Sequence, residues 1–112
     1  MTVAVVNLRI EKGTDFSQSF EIFNDDSSIV DDFTDYSGVC KIRKYPSSPI
    51  YHSFEVYVIG AIGLVVISMP KEVTRQLSLG RNYYDLILTK ASTNISTKFV
   101  EGSIVVSDSA SV

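Results

Sequence analysis

At 112 residues, 45% hydrophobic and 21% charged, the chain has the length of one domain and the composition of a folded one. Its formal net charge is −3 and its ten basic residues are scattered, which argues against the concentrated basic footprint of a nucleic-acid-binding protein. A single cysteine, Cys40, excludes an intrachain disulfide, so stability must come from packing, and a reducing compartment of synthesis is the simpler expectation.

The opening "MTVAVVNLRIE" lacks a basic start and a long apolar run, so no signal peptide is expected. In "VVNLRIE", Val6, Leu8 and Ile10 alternate with Asn7, Arg9 and Glu11, the period of a strand buried on one side. After the turn residues "KGTD", "FSQSFEIF" repeats the pattern with Phe16, Phe20 and Ile22, Gln18 being the polar exception. An acidic segment, "NDDSSIVDDFTD", leads to a third strand, "YSGVCKIRKY", in which Cys40 and Ile42 alternate with Val39, Lys41 and Arg43. "PSSP" breaks the chain, and "IYHSFEVYVI" and "LVVIS" follow as two strands around "GAIG". The apolar stretch Val56 to Ile67 falls short of the roughly twenty residues of a membrane helix and contains two glycines, so no membrane partner is expected.

The spacing predicts one short helix over about residues 70–77, with Pro70 at its first position, Glu72 near its positive end, and Val73 and Leu77 on one stripe. Two strands close the chain, "NYYDLILTK" and "KFVEGSIVV", joined by "ASTNIS". The connections are too short for parallel crossovers. The expected fold is therefore all-β: a seven-stranded antiparallel immunoglobulin-like β-sandwich, its helix preceding the sixth strand, with a small barrel as the alternative. Residues 1–112 form one domain in this reading, with short flexible ends at about 1–4 and 108–112. Gly80, Tyr84 and Asp85 are expected to build a structural corner. Tyr84 is in phase with Leu86 and Leu88, so it points inward and its hydroxyl bonds to backbone just upstream. Tyr83 and Asp85 face the other way, and a ligand platform there is the alternative.

Candidates for chemistry are few. His52 is the lone histidine, and metal sites or nucleophilic catalysis need several convergent groups. Cys40, in phase with Ile42, reads as apolar filler. Asp25, Asp26, Asp31, Asp32 and Asp35 are weak calcium candidates, because their spacing lacks the order and the glycine of a known calcium loop. Pairing Asp31 or Asp32 with Glu55 or Glu101 for carboxylate catalysis has no support in spacing. "NIS" at Asn94 is a formal glycosylation triplet. Tyr45, Tyr51 and Tyr57 could stack on sugars if exposed, although cross-strand packing is the more ordinary use. No enzyme activity and no cofactor is expected.

Four stretches in order, "EKGTDFSQSFEI", "TDYSGVCKIRKYP", "TRQLSLGRNYYDLIL" and "FVEGSIVVS", resemble small structural proteins of tailed bacteriophages. The similarity spans about residues 8 to 107, with "DYSG" standing where the family pattern has "L-T-G-Y". It implies that Asp15, Phe16, Gly38, Ile42, Arg43, Thr74, Leu77, Gly80, Tyr84, Asp85, Leu86 and Gly102 define the fold. It further implies a non-enzymatic virion component, made in the host cytoplasm, serving as an adaptor in the tail, neck or baseplate. Capsid decoration on the phage head is the alternative, and a carbohydrate- or calcium-binding module is the alternative of another class. The implied partners are other virion proteins and copies of itself, docking through Met1 to Val5, Ser107 to Val112 and the acidic loop.

Overall fold

The computed structural model describes residues 3–21, 35–59 and 63–110, and all statements below concern these residues. They are all-β apart from one helical turn. The alternating segments become β1 (Ala4–Val5), β2 (Leu8–Glu11), β3 (Phe16–Glu21), β4 (Tyr36–Arg43), β5 (Tyr51–Ile59) and β6 (Leu64–Met69). Helix α1 (Lys71–Thr74) and strands β7 (Gly80–Lys90) and β8 (Ile95–Ser107) follow.

The strands form one curled sheet in the order β1-β8-β7-β4-β5-β6-β3, with β2 also on β8. β5 makes the curl. Its first half pairs with β4, Arg43 opposite Tyr51 and Cys40 opposite Phe54. Its second half pairs with β6, Glu55 opposite Ser68 through Ile59 opposite Leu64. The curl therefore has two arms that share β5, termed the first layer (β1, β2, β8, β7, β4 and the start of β5) and the second (β3, β6 and the end of β5). Period two turns one side of every strand inward. Ile10, Ile42, Leu86, Leu88, Ile104 and Val106 meet Phe20, Val65, Ile67 and Met69 in one core, with Phe16 and Phe54 rings 5.7 Å apart.

The expectations for strand direction, for the helix and for the start of β8 need correction. The sheet is mixed rather than antiparallel, because β1 and β2 run parallel to β8, with Ala4 opposite Val100 and Ile10 opposite Val106. The turn after β2 carries the chain across to β3 in the second layer, so no hairpin forms, and Leu8 and Ile10 extend the first layer instead. The helix is one turn, not residues 70–77: Pro70 is extended, outside the helix. Beyond it the N–H groups of Gln76 and Leu77 reach back three residues, to Val73 and Thr74, so the chain tightens and leaves the helix. β8 also starts at Ile95, earlier than the polar turn suggested. It holds a bulge: Leu86 faces Val100 and Ile87 faces Lys98, which leaves Phe99 as the extra residue and buries two neighbours in succession.

Candidate functional site

The backbone before β7 is held by a side chain other than Tyr84. Gly80 has φ 90°, a conformation that L side chains rarely adopt. Asn82, 3% exposed, donates through Nδ2 to the carbonyls of Ser78 at 2.9 Å and Gly80 at 3.1 Å. Lys44 Nζ holds the carbonyl of Leu79 between them at 2.8 Å. Asn82 thus makes the upstream backbone bond expected of Tyr84. A buried amide opening a strand, two residues after a glycine, was the available signal.

Tyr84 does point inward, but its hydroxyl donates to the carbonyl of Val6 at 2.7 Å, 78 residues upstream. Between them lies Gly102, directly opposite Tyr84 on β8. A Cβ on Gly102 would lie 2.1 Å from the Val6 oxygen, so the close approach of this backbone requires glycine. Val6 N–H donates to Glu101 O at 2.9 Å, and Asn7 Oδ1 accepts the N–H of Ser103 at 3.1 Å, a side chain replacing a ladder carbonyl. Burial raises the Tyr84 hydroxyl's pKa, with nearby Cys40 adding to the rise.

A second interlock was missed in the sequence. The Asp15 carboxylate accepts the first helical N–H, that of Lys71, at 2.8 Å. The Thr74 hydroxyl is fully buried, accepts from Gly13 N–H at 3.1 Å and donates to Thr14 O at 2.8 Å. The "KGTD" turn and helix α1 therefore satisfy each other's backbone groups across about sixty positions of chain. A threonine in phase with buried positions was the faint clue.

The outer face of the first layer holds a concavity. Two rows cross the strands: Tyr51, Arg43, Tyr83 and Ser103, then Ser53, Lys41, Asp85 and Glu101. A groove of about 460 Å³ lies there, lined by Tyr83, Asp85, Glu101 and Ser103 of these rows together with Arg43 and Arg81. Lys98 pairs with Glu101 at 3.2 Å and Asp85 at 3.7 Å. Its ammonium pKa is raised, chiefly by the hydrogen bond to Glu101, with both carboxylate charges adding. Lys41 and Arg43 lie over the Tyr51 ring, 4.2 and 4.6 Å from its centre. Asp85, assigned to the corner by sequence, sits in this groove. The groove presents an aromatic ring, Tyr83, with charges of both signs around it.

The remaining candidates stay apart. His52 faces Ile42 and is half-buried on the inner side. Cys40 is 1% exposed, its thiol pushed up to about 12 by burial and secondarily by the Asp85 charge. Asp35 spends a carboxylate oxygen on the N–H of Ser92 at 3.1 Å, while Asp25, Asp26, Asp31 and Asp32 lie outside the described residues. Among the described residues no three acidic, histidine or cysteine side chains gather as a metal site. Asn94 is exposed in the turn before β8 with φ 55°. Tyr45 and Tyr57 are exposed. No described helix is long and apolar enough to cross a membrane. No protein-family model matches the chain, and no curated protein matches its sequence.

Proposed function

We propose that this chain is a non-enzymatic structural component of a tailed-phage virion, a small adaptor domain in the tail, neck or baseplate. One observation carries the reading: the residues behind the resemblance hold one another. Asp15 and Thr74 lock the "KGTD" turn to the helix, Gly80 opens β7 with a positive φ, and Gly102 admits the backbone that Tyr84 secures. Motifs that meet in this way describe a fold, whereas catalytic motifs converge on a cleft.

The finer fold is also inferred, as an immunoglobulin-like sandwich. β3, β6 and the end of β5 stand in the order of its B, E and D strands, and β4, β7 and β8 in that of C, F and G. β1 and β2 then form a first strand moved across onto the last.

The test is the copy number of this chain in purified particles of the encoding phage, by quantitative mass spectrometry against the major capsid protein. A few to several tens of copies is the expected result. Hundreds would make it a head-decoration protein, and absence would end the virion reading.

A further inference from the structure

The two outer faces of the sandwich differ in a complementary way. On the second layer the outward rows are Ser17, Ser68 and Glu55, then Ser19, Val66 and Tyr57, then Glu21, Leu64 and Ile59. Its charges are Glu21 and Glu55, with no Lys or Arg in those rows. At the β5 end of the middle row Tyr57 is 72% exposed, the most exposed of the six tyrosines. The first layer's outer face carries Arg81 and Arg43, the latter also donating to the Ser48 carbonyl, on the lining of the Tyr83 groove and Lys41 in the next row, while its carboxylates Asp85 and Glu101 are engaged by Lys98. One face is a projecting aromatic with Glu55 beside it along β5 and no cation in its rows, and the other a groove edged by Arg43 and Arg81 whose carboxylates are already paired with Lys98.

We propose that copies of this domain stack head to tail, the Tyr57 face of one copy seating in the Tyr83 groove of the next. Tyrosine and arginine are the side chains that most often anchor protein interfaces, the ring filling a desolvated pocket and the charges setting register. The groove, at about 460 Å³, has room for a phenol ring and its neighbours. Because the two contacting surfaces differ, the contact does not close on a pair. It propagates, and the rotation per copy decides between a ring and a filament. An acidic or basic foreign peptide would complement one face and leave the other open, whereas a second copy satisfies both. The inference rests on the virion reading, in which copies of one small domain are held by symmetry.

The experiment is sedimentation velocity on the full chain over a concentration series, with two variants whose folding is checked by circular dichroism. Wild type is expected to grow beyond its 12.4 kDa monomer as concentration rises, and less so at high salt. The variant E55K/Y57S loses one face and R81E/Y83S the other, so each alone is expected to be monomeric. Mixed in equal amounts, they retain one intact face each and should form a 1:1 dimer that grows no further. A wild type still monomeric at about 1 mM, the limit of weak specific association, overturns the proposal. So does growth in either variant alone, or a mixture that stays monomeric. Stacking in solution by a chain absent from particles would refute the virion reading alone, and a monomer present in particles would refute stacking alone.

Discussion

The Tyr84 hydroxyl and the Val6 carbonyl, 2.7 Å apart, tie β7 to the N-terminal segment over the intervening strand β8. Val6 falls between β1 and β2, where the parallel ladder is interrupted and the backbone leans toward the core. The phenol is thus the clasp of an edge segment whose own ladder is short. Tyr84→Phe keeps the ring and removes the donor, and a net loss of about 1 kcal/mol is expected. For a domain near this size that lowers the melting temperature by roughly 4–8 °C. Urea denaturation measures the loss. Amide exchange at Val6 and Leu8 should rise more than at Leu86 or Leu88, and uniform acceleration would contradict the clasp.

Gly102→Ala attacks the same place from the other side. The new Cβ would meet the Val6 oxygen at 2.1 Å and the Val6 carbonyl carbon at 2.8 Å, both backbone atoms of a paired segment. At Gly38 the clash would be with Val56 Cγ1 at 2.5 Å and Leu88 Cδ2 at 2.9 Å, ends of side chains able to turn. Gly102→Ala should therefore cost about 3 kcal/mol or more and free the N-terminal segment, with Gly38→Ala costing roughly 1–3 kcal/mol. Denaturation midpoints of the two variants decide, and equal losses would reject the distinction.

Much of this architecture could be read from alternation, and the limits follow from what alternation encodes. Ile10, Ile42, Leu86 and Leu88 are buried as their period demands, and Tyr84 points inward with them. Period two states which face is inward but not which strand lies alongside, so the parallel placement of β2 on β8 had no signature. Val73 and Leu77 have helical spacing, yet Leu77 reaches the core from a turn after the helix ends, and the two geometries share that spacing over so short a run. The partners of Tyr84 and Thr74 lie some sixty to eighty positions away, beyond any local pattern. The groove assembles Tyr83, Asp85, Glu101 and Ser103 from two strands, and their grouping depends on register across a bulge.

Thr74→Val tests the turn-to-helix lock with almost no change in shape. It would leave the Gly13 N–H and the Thr14 carbonyl unpaired beside a buried methyl. A loss of about 2 kcal/mol is expected, since buried groups stripped of partners cost more than the bond itself contributed. Thr74→Ser retains the hydroxyl and should recover most of that loss, leaving a deficit of about 1 kcal/mol for the missing methyl. If serine and valine destabilise equally by denaturant titration, the hydroxyl's bonds contribute nothing and packing alone matters there.

Cys40 gives the fold a defined alkaline limit. Its thiol ordinarily ionises at 9.0, and in the folded chain burial, then the Asp85 charge, hold it neutral to about 12. A raised folded-state pKa contributes stability that is complete below the unfolded value and is lost as pH climbs through the folded one. Between pH 9.0 and about 12 the unfolded chain releases a proton that the folded chain retains, so unfolding gains on folding throughout that window. Tyr84, whose pKa is raised by burial first and Cys40 second, acts in the same direction. Cys40→Val removes the ionising group while keeping the volume near that of the thiol. Its denaturation midpoint should therefore fall less steeply than that of wild type above pH 9.0, while matching it within about 1 kcal/mol at neutral pH. The same burial predicts that an aromatic disulfide reagent at pH 8 labels Cys40 in denaturant and leaves it unmodified in buffer. Rapid labelling in buffer, or parallel pH profiles for the two proteins, would show that this thiol is reached by solvent and does not set the limit.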